Sequence, residues 1–322
     1  MAVVRYSIII GACAFAVTAV ARTQGIPPYW AYAINPPGAA AARPADDTPR
    51  RVPGSVAAFT VEQVTDLFSA PDWHPDHHGT MPDIVAHGRK PGVFACGYCH
   101  LPNGQGRPEN AAIAGLPAAY ILQQIADFRS GRRRSSEPRH LPTAYMTGVA
   151  TNASEQEVQT AAEYFSRLNP QPWIRVVETS SVQKTQVSGW MLVASGAAGL
   201  EPIGERIIET PENLDRTELR DDASGFVAYV PVGSIKQGAS LVATGGSGKT
   251  LQCSICHGPD LKGLGNVPSI AGRSPSYVVR QLYDIQHGTR AGVAAELMKA
   301  PVAKLTLADM VSIAAYTASL RP

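Results

Sequence analysis

Two five-residue stretches hold four of the chain's five cysteines: Cys96-Gly97-Tyr98-Cys99-His100 and Cys253-Ser254-Ile255-Cys256-His257. Two thiols three positions apart, followed at once by an imidazole, suit the attachment of a c-type haem. The thiols add to the two porphyrin vinyl groups, and the histidine becomes an axial ligand of the iron. A redox-active disulfide of the thioredoxin kind also uses Cys-x-x-Cys, but within a βαβ pattern that surrounds neither motif here. Two copies, each ending in histidine and together using every cysteine after Cys13, predict two covalently bound c-type haems with His100 and His257 as proximal ligands.

The motifs belong to a longer repeat. The offset of 157 residues that carries position 96 onto 253 also pairs Val85 with Val242, Gly88 with Gly245, Pro102 with Pro259 and Gly106 with Gly263. It continues through the two "IAG" stretches, Tyr120 with Tyr277, Gln124 with Gln281, Asp127 with Asp284 and Gly131 with Gly288. The register then slips, and an offset of 152 pairs Met146 with Met298, Tyr164 with Tyr316 and Leu168 with Leu320. Self-similarity of this length means two copies of one domain. Each copy reads as helical. Ser274 and Pro275 start a helix with apolar Tyr277, Val278, Leu282 and Ile285, and Gly288 stops it. Thr306-x-x-Asp309 and Ser154-x-x-Glu157 open the last helix of each copy as capping boxes.

What fills the sixth iron position separates an electron carrier from a site that binds small ligands. Met146 and Met298 hold equivalent places, read here as loops ahead of the last helices, and are the expected sixth ligands. Met81 is the rival for the first haem, and Met310 reads as core packing. The histidine-rich run Trp73-His74-Pro75-Asp76-His77-His78 reads as an exposed polar loop, because no second cluster in the sequence completes a metal-ligand set. His87 and His287 have no histidine at the equivalent repeat position, which argues against a shared ligand role. Ala243-x-x-x-x-Gly248-Lys249-Thr250 fits a loose phosphate-loop pattern without the strand that such a loop needs before it, and no nucleotide is expected.

The 322 residues have room for two ordinary cores. A net charge of +2 with 17% charged residues gives no nucleic-acid signature. Residues 1–21 read as an export signal, with Arg5, an apolar run from Ile8 to Val20 and a small-x-small site at Ala19-Val20-Ala21. This places the chain in the periplasm, with membrane anchoring as the alternative if the signal stays. Residues 22–55 are Pro- and Ala-rich and read as an extended tether. Haem domains are expected at 56–169 and 233–322. Between them, 170–232 holds β-branched and aromatic runs that suit three or four strands.

The stretch "CSICHGPDLKGLGNVPSIAGRSPSYVVRQLYDIQHGTRAG", followed by "LMKAPVAKLTLADMVSIAAYTASL", resembles the class I cytochromes c, and most closely their di-haem c4-type members. The resemblance spans the two haem domains. It implies a mainly α fold of two cytochrome c domains in tandem, joined by a small β-rich insertion that the c4-type pattern lacks. It also implies that Pro268 offers its carbonyl to His257, that Met298 and Met146 complete the irons, and that Tyr316 and Tyr164 pack on the haems. Tyr120 and Tyr277 match a tyrosine near the haem propionates. Ala111 stands where the first copy should have its proline, which leaves the corresponding bond to His100 in question. The implied function is one-electron transfer per haem between a respiratory donor and an acceptor. The partners would be redox proteins met transiently, such as a dehydrogenase, an oxidase or a quinol-oxidising complex, and the chain would not itself be an enzyme. One alternative is a di-haem peroxidase with an open first iron beside His77, His78 or His140. Another is a dedicated cytochrome subunit docked through the insertion.

Overall fold

The computed structural model describes residue 1, residues 25–37 and residues 46–322. The expected export signal beyond Met1, and part of the expected tether, lie outside the described residues. The chain is mainly helical, with strands gathered in one segment. Ahead of and around the first cysteine pair lie α1 (Val61–Thr65), α2 (Asp83–Ala86) and α3 (Cys96–His100). They are followed by α4 (Ala118–Arg129), α5 (Leu141–Asn152) and α6 (Glu155–Ser166).

Seven short strands then replace the three or four expected: β1 (Ile174–Thr179), β2 (Ser181–Gln183), β3 (Thr185–Ser188), β4 (Met191–Ala194), β5 (Leu200–Pro202), β6 (Ile208–Pro211) and, after helix α7 (Leu214–Glu218), β7 (Phe226–Pro231). Central β7 pairs in parallel with β1 and antiparallel with β6, while β2–β5 and β3–β4 form two separate antiparallel ribbons. The unexpected strands are β2, β3 and β5, only three or four residues long and too polar to stand out as β-branched or aromatic runs.

The second cysteine pair is framed by α8 (Ser234–Thr244), α9 (Ser254–His257), α10 (Pro275–Gln286), α11 (Val293–Val302) and α12 (Leu307–Ser319). The start signals act as their chemistry demands. Ser154 and Thr306 each accept from the backbone N–H three residues on, and Glu157 and Asp309 return the bond. Ser274 caps α10 by accepting from Tyr277 N. Met146 and Met298, expected in loops, lie inside α5 and α11. These segments have no clean apolar stripe because parts of their surfaces lack an apolar partner from the rest of the chain: Tyr145, Val293 and Leu297 are exposed.

The largest apolar core joins the second half to the strands: Ile207, Ile208, Ala228 and Val230 meet Leu241, Val242, Ile313 and Ala314. Trp30, Ala31 and Tyr32 are buried in the same core, so this part of the expected tether is built into the fold. Arg280 Nη1 donates to the Ala31 carbonyl, and the Tyr32 hydroxyl donates to Asp284 at 2.7 Å. A smaller core around Ile84, Val85, Val93, Tyr164 and Phe165 serves the first half. Glu209 on β6 accepts from the Ser274 and Ser276 hydroxyls, which ties the strands to the N-terminus of α10.

The closest helix crossing is α8 on α12, and Gly238 makes it possible. A Cβ there would stand 1.9 Å from the Ser312 carbonyl oxygen and 2.7 Å from the Tyr316 Cβ. Backbone cannot yield as a side-chain tip can, so the helices would have to separate. We expect Gly238→Ala to cost about 3 kcal/mol or more, read as a fall in the midpoint of chemical unfolding, whereas Gly79→Ala, with nothing within 4 Å of an added Cβ and no left-handed φ, should cost much less.

Candidate haem sites

Each cysteine pair sits on a single helical turn, α3 or α9, and that turn delivers the histidine at its end. His100 Nδ1 donates to the Ala111 carbonyl at 2.9 Å, and His257 Nδ1 donates to the Pro268 carbonyl at 2.8 Å. A carbonyl can only accept, so each Nδ1 carries the proton and each Nε2 keeps a lone pair for a metal. The loss of the proline at position 111 does not cost the bond, because the acceptor is backbone and the turn is preserved. Gly106 N also donates to the His100 carbonyl and Gly263 N to the His257 carbonyl, both at 2.8 Å. Burial lowers the pKa of both histidines, which favours the neutral form that a metal needs.

The thiols fit attachment better than redox exchange. All four motif cysteines are free. Loss of solvent pushes the Cys96 thiol up to about 12 and the Cys253 thiol up to about 11, whereas redox-active Cys-x-x-Cys thiols are held low. The donor set of two thiols and a neutral imidazole with a free Nε2 is that of a covalently bound haem.

The remaining predicted residues fall into three groups. Met298 and Cys253 pack on one core, and Met81 and Cys96 on the other. Met146 is half-buried on α5, which packs on α4 as α11 packs on α10. Tyr164 is buried and donates to the Pro102 carbonyl at 2.7 Å, just after the first motif, while its neighbour Phe165 lies edge-on to His100 with centroids 6.1 Å apart. Tyr316 is half-buried at the α8–α12 crossing.

Tyr120 and Tyr277 reach across to the opposite half. Arg290 Nη2 donates to the Tyr120 hydroxyl at 2.9 Å, and Arg133 Nη2 donates to the Tyr277 hydroxyl at 2.9 Å. Each guanidinium also donates to both Gln124 and Gln281, and the two arginines pair as an isolated bridge. Arg273 adds bonds from the second half to the Ala112 and Ala114 carbonyls behind the first motif. Sequence reasoning missed these arginines, although the 157-residue offset that pairs the two glutamines also pairs Arg133 with Arg290. Two like charges among neutral partners suit the carboxylates of a haem.

The histidine-rich run, expected as an exposed loop, is exposed at Pro75, Asp76 and His77 but not at its start. Trp73 and His74 are buried, and His74 Nε2 lies 3.0 Å from Asp221, far away in sequence. His87 is exposed, and His287 stacks on Tyr283 while donating to its carbonyl. Lys249 of the phosphate-loop lookalike is spent on Asp309, at 2.9 and 3.0 Å. His140, at the start of α5, lies edge-on to Tyr32, and its Nε2 is buried with no hydrogen-bond partner among the described residues.

Burial, with the nearby Arg280 charge, lowers the His140 pKa to about 3 from an ordinary 6.5. The unfolded chain therefore takes up a proton here below about pH 6.5 that the folded chain refuses until about pH 3. The neutral ring's contribution is complete above pH 6.5 and is lost as pH falls toward 3. His140→Asn should flatten the decline of unfolding free energy across that window by up to about 1.4 kcal/mol per pH unit. Denaturant unfolding at a series of pH values checks this, and an unchanged slope would contradict it.

Comparison with known proteins agrees with this geometry. The family model described as Cytochrome c matches residues 86–169. The thiosulfate dehydrogenase electron acceptor of Thiomonas intermedia is 25% identical over 232 residues, covering 71% of this chain and 80% of that protein. Cytochrome c4 of Pseudomonas aeruginosa is 26% identical over 229 residues, covering 70% of this chain and 83% of that protein. Cytochrome c-554(548) of Halomonas halodenitrificans is 35% identical over 78 residues, 24% of this chain but 94% of that protein. With a relative matched along nearly its whole length, and the histidine–carbonyl bond present behind both cysteine pairs, the chain belongs to the cytochrome c family.

Proposed function

We propose that the chain is an exported di-haem electron carrier of two cytochrome c domains in tandem, residues 56–169 and 233–322, with residues 170–232 as a β-rich insertion between them. One observation carries the reading: two Cys-x-x-Cys-His turns whose histidines both donate Nδ1–H to a carbonyl eleven residues on. When bound, each haem supplies an iron that takes up and releases a single electron. The chain's own residues do the rest. Cys96, Cys99, Cys253 and Cys256 fix the position of the group, and His100 and His257 present Nε2. The carbonyls of Ala111 and Pro268 hold those rings in orientation and raise their basicity. Tyr120, Tyr277, Arg133 and Arg290 surround the haem carboxylates where the halves meet, and Tyr164 and Tyr316 pack beside the rings.

Met146 and Met298 are the sixth ligands in this reading. Support comes from the repeat, because the helices that carry them occupy matching places. The rival, Met81, falls at the repeat position of Gly238, which lies at a crossing with the last helix. Met81 accordingly packs against the first-half core that contains Tyr164 and Phe165, as core filler would. With both irons closed by methionine the chain transfers electrons and does not turn over peroxide. Its contacts with partners would be small and transient. A dehydrogenase is the favoured donor, since one relative bears the name of a dehydrogenase's electron acceptor.

Near-infrared magnetic circular dichroism of the oxidised holoprotein tests this. Two low-spin irons are expected, each with a methionine-to-iron charge-transfer band. Met146→Ala and Met298→Ala should each remove one band, and Met81→Leu should leave both. A high-spin iron in the wild type would overturn the closed-site reading, and loss of a band in Met81→Leu would move the first ligand to Met81.

A further inference from the structure

The segment ahead of the first haem motif and the turn between α7 and β7 bring together three buried side chains that the electron-transfer reading does not use. His74, Asp221 and Asp222 are only 4%, 2% and 1% exposed. One donor atom from each lies within 4.8 Å of the others. Asp221 is well supplied with donors: Oδ1 faces His74 Nε2 at 3.0 Å and accepts from Ala223 N, while Oδ2 accepts from Arg216 Nε at 2.6 Å. Asp222 is not. Its backbone carbonyl accepts from Asn103 Nδ2, but both oxygens of its buried carboxylate have no hydrogen-bond partner among the described residues. Taking such a carboxylate out of water without donors or a cation is costly, so a missing partner is the economical explanation.

We propose that His74, Asp221 and Asp222 bind one divalent cation of the zinc class, which joins the insertion to the first haem domain. The donor chemistry selects the ion. Calcium and magnesium favour oxygen-only shells, whereas an imidazole nitrogen with two carboxylates suits zinc. Zinc accepts three protein ligands with water in the fourth place. His78 is not a ligand, since its Nε2 already faces Asp72 at 3.2 Å, and His77 stacks on His74 at 4.8 Å and closes one side of the site. The packing gives the ion a structural role. Trp73 Nε1 donates to the Leu219 carbonyl, and Arg220 Nη1 donates to the Tyr98 carbonyl inside the first motif. The cation would therefore lie within an existing seam and give the Asp222 carboxylate the partner it lacks among the described residues.

The test is calorimetric titration of Zn2+ into the tag-free holoprotein after chelator treatment, which leaves covalent haem in place. The expected result is one Zn2+ per chain in the wild type and in His87→Gln, with affinity weakened about tenfold or more in Asp222→Asn and His74→Gln. Asp222→Asn removes a buried charge and should fold; its haem spectrum and far-ultraviolet dichroism check that it does. Zn2+ should raise the melting temperature of the wild type and leave that of Asp222→Asn unmoved. Failure of the wild type to take up stoichiometric zinc, equal uptake by Asp222→Asn, or an equal rise in both melting temperatures would overturn the proposal. None of these readouts depends on which residues complete the irons.

Discussion

Each half of the molecule is organised around one hydrogen bond, from the motif histidine's Nδ1–H to a carbonyl eleven residues downstream. The bond selects the tautomer, aims Nε2 away from the loop and closes the segment between the two residues into a fixed turn. Glycines with left-handed φ make that closure possible. At Gly106 (φ 67) an added Cβ would lie 2.6 Å from the Ala111 carbonyl oxygen, the very atom His100 uses. At Gly263 (φ 94) it would lie 2.7 Å from Val267 O. The acceptor is a main-chain atom, so residue 111 can change from proline to alanine while the geometry persists. What must be kept is the path of the backbone, not the side chain that normally enforces it.

A second constraint links the halves. Arg133 and Arg290 each cross to the tyrosine of the opposite copy and share the same two glutamines, so neither network is complete without the other half. Arg273 and Arg280 extend the seam by donating to first-half carbonyls at Ala112, Ala114 and Pro108. Arg280 has the Asp284 and Glu209 charges beside it, whereas the direct side-chain partners of Arg133 and Arg290 are neutral tyrosines and glutamines, and haem carboxylates would meet those two charges where the halves join.

The copies are not equal in what supports them. The second shares a core with the strands and with Trp30 and Tyr32 from the N-terminal segment, while the first has a compact core and leans on the turn after α7. Thr217 of α7 and Asp222 and Ser224 of that turn accept from Arg107, Asn103 and Gln105 in the first half. The insertion thus meets the first half through main-chain carbonyls and the Arg220 and Asp221 side chains, and the second half through apolar side chains and Glu209.

Much of the candidate site was legible from local chemistry. The two Cys-x-x-Cys-His turns, the capping boxes at Ser154 and Thr306, the Ser274–Pro275 helix start and the 157-residue repeat all depend on neighbours within a few positions, or on likeness between copies. Periodicity misread the segments of Met146 and Met298, because side chains such as Leu297 stay exposed and blur the helical stripe. Composition misread residues 29–33: a Pro-rich flank resembles a tether, yet Trp30 and Tyr32 find a core and hydrogen bonds more than 200 residues away. By itself, then, the sequence determined the cofactor class, the two Cys-x-x-Cys-His turns and the helical start points, since these are short-range properties of residue type and spacing. Only the tertiary structure decided that β1 pairs in parallel with β7, that the arginines cross between halves, and that His74 meets Asp221 and Asp222. Each of those joins groups distant along the chain, and their meeting depends on how the cores pack rather than on any local preference.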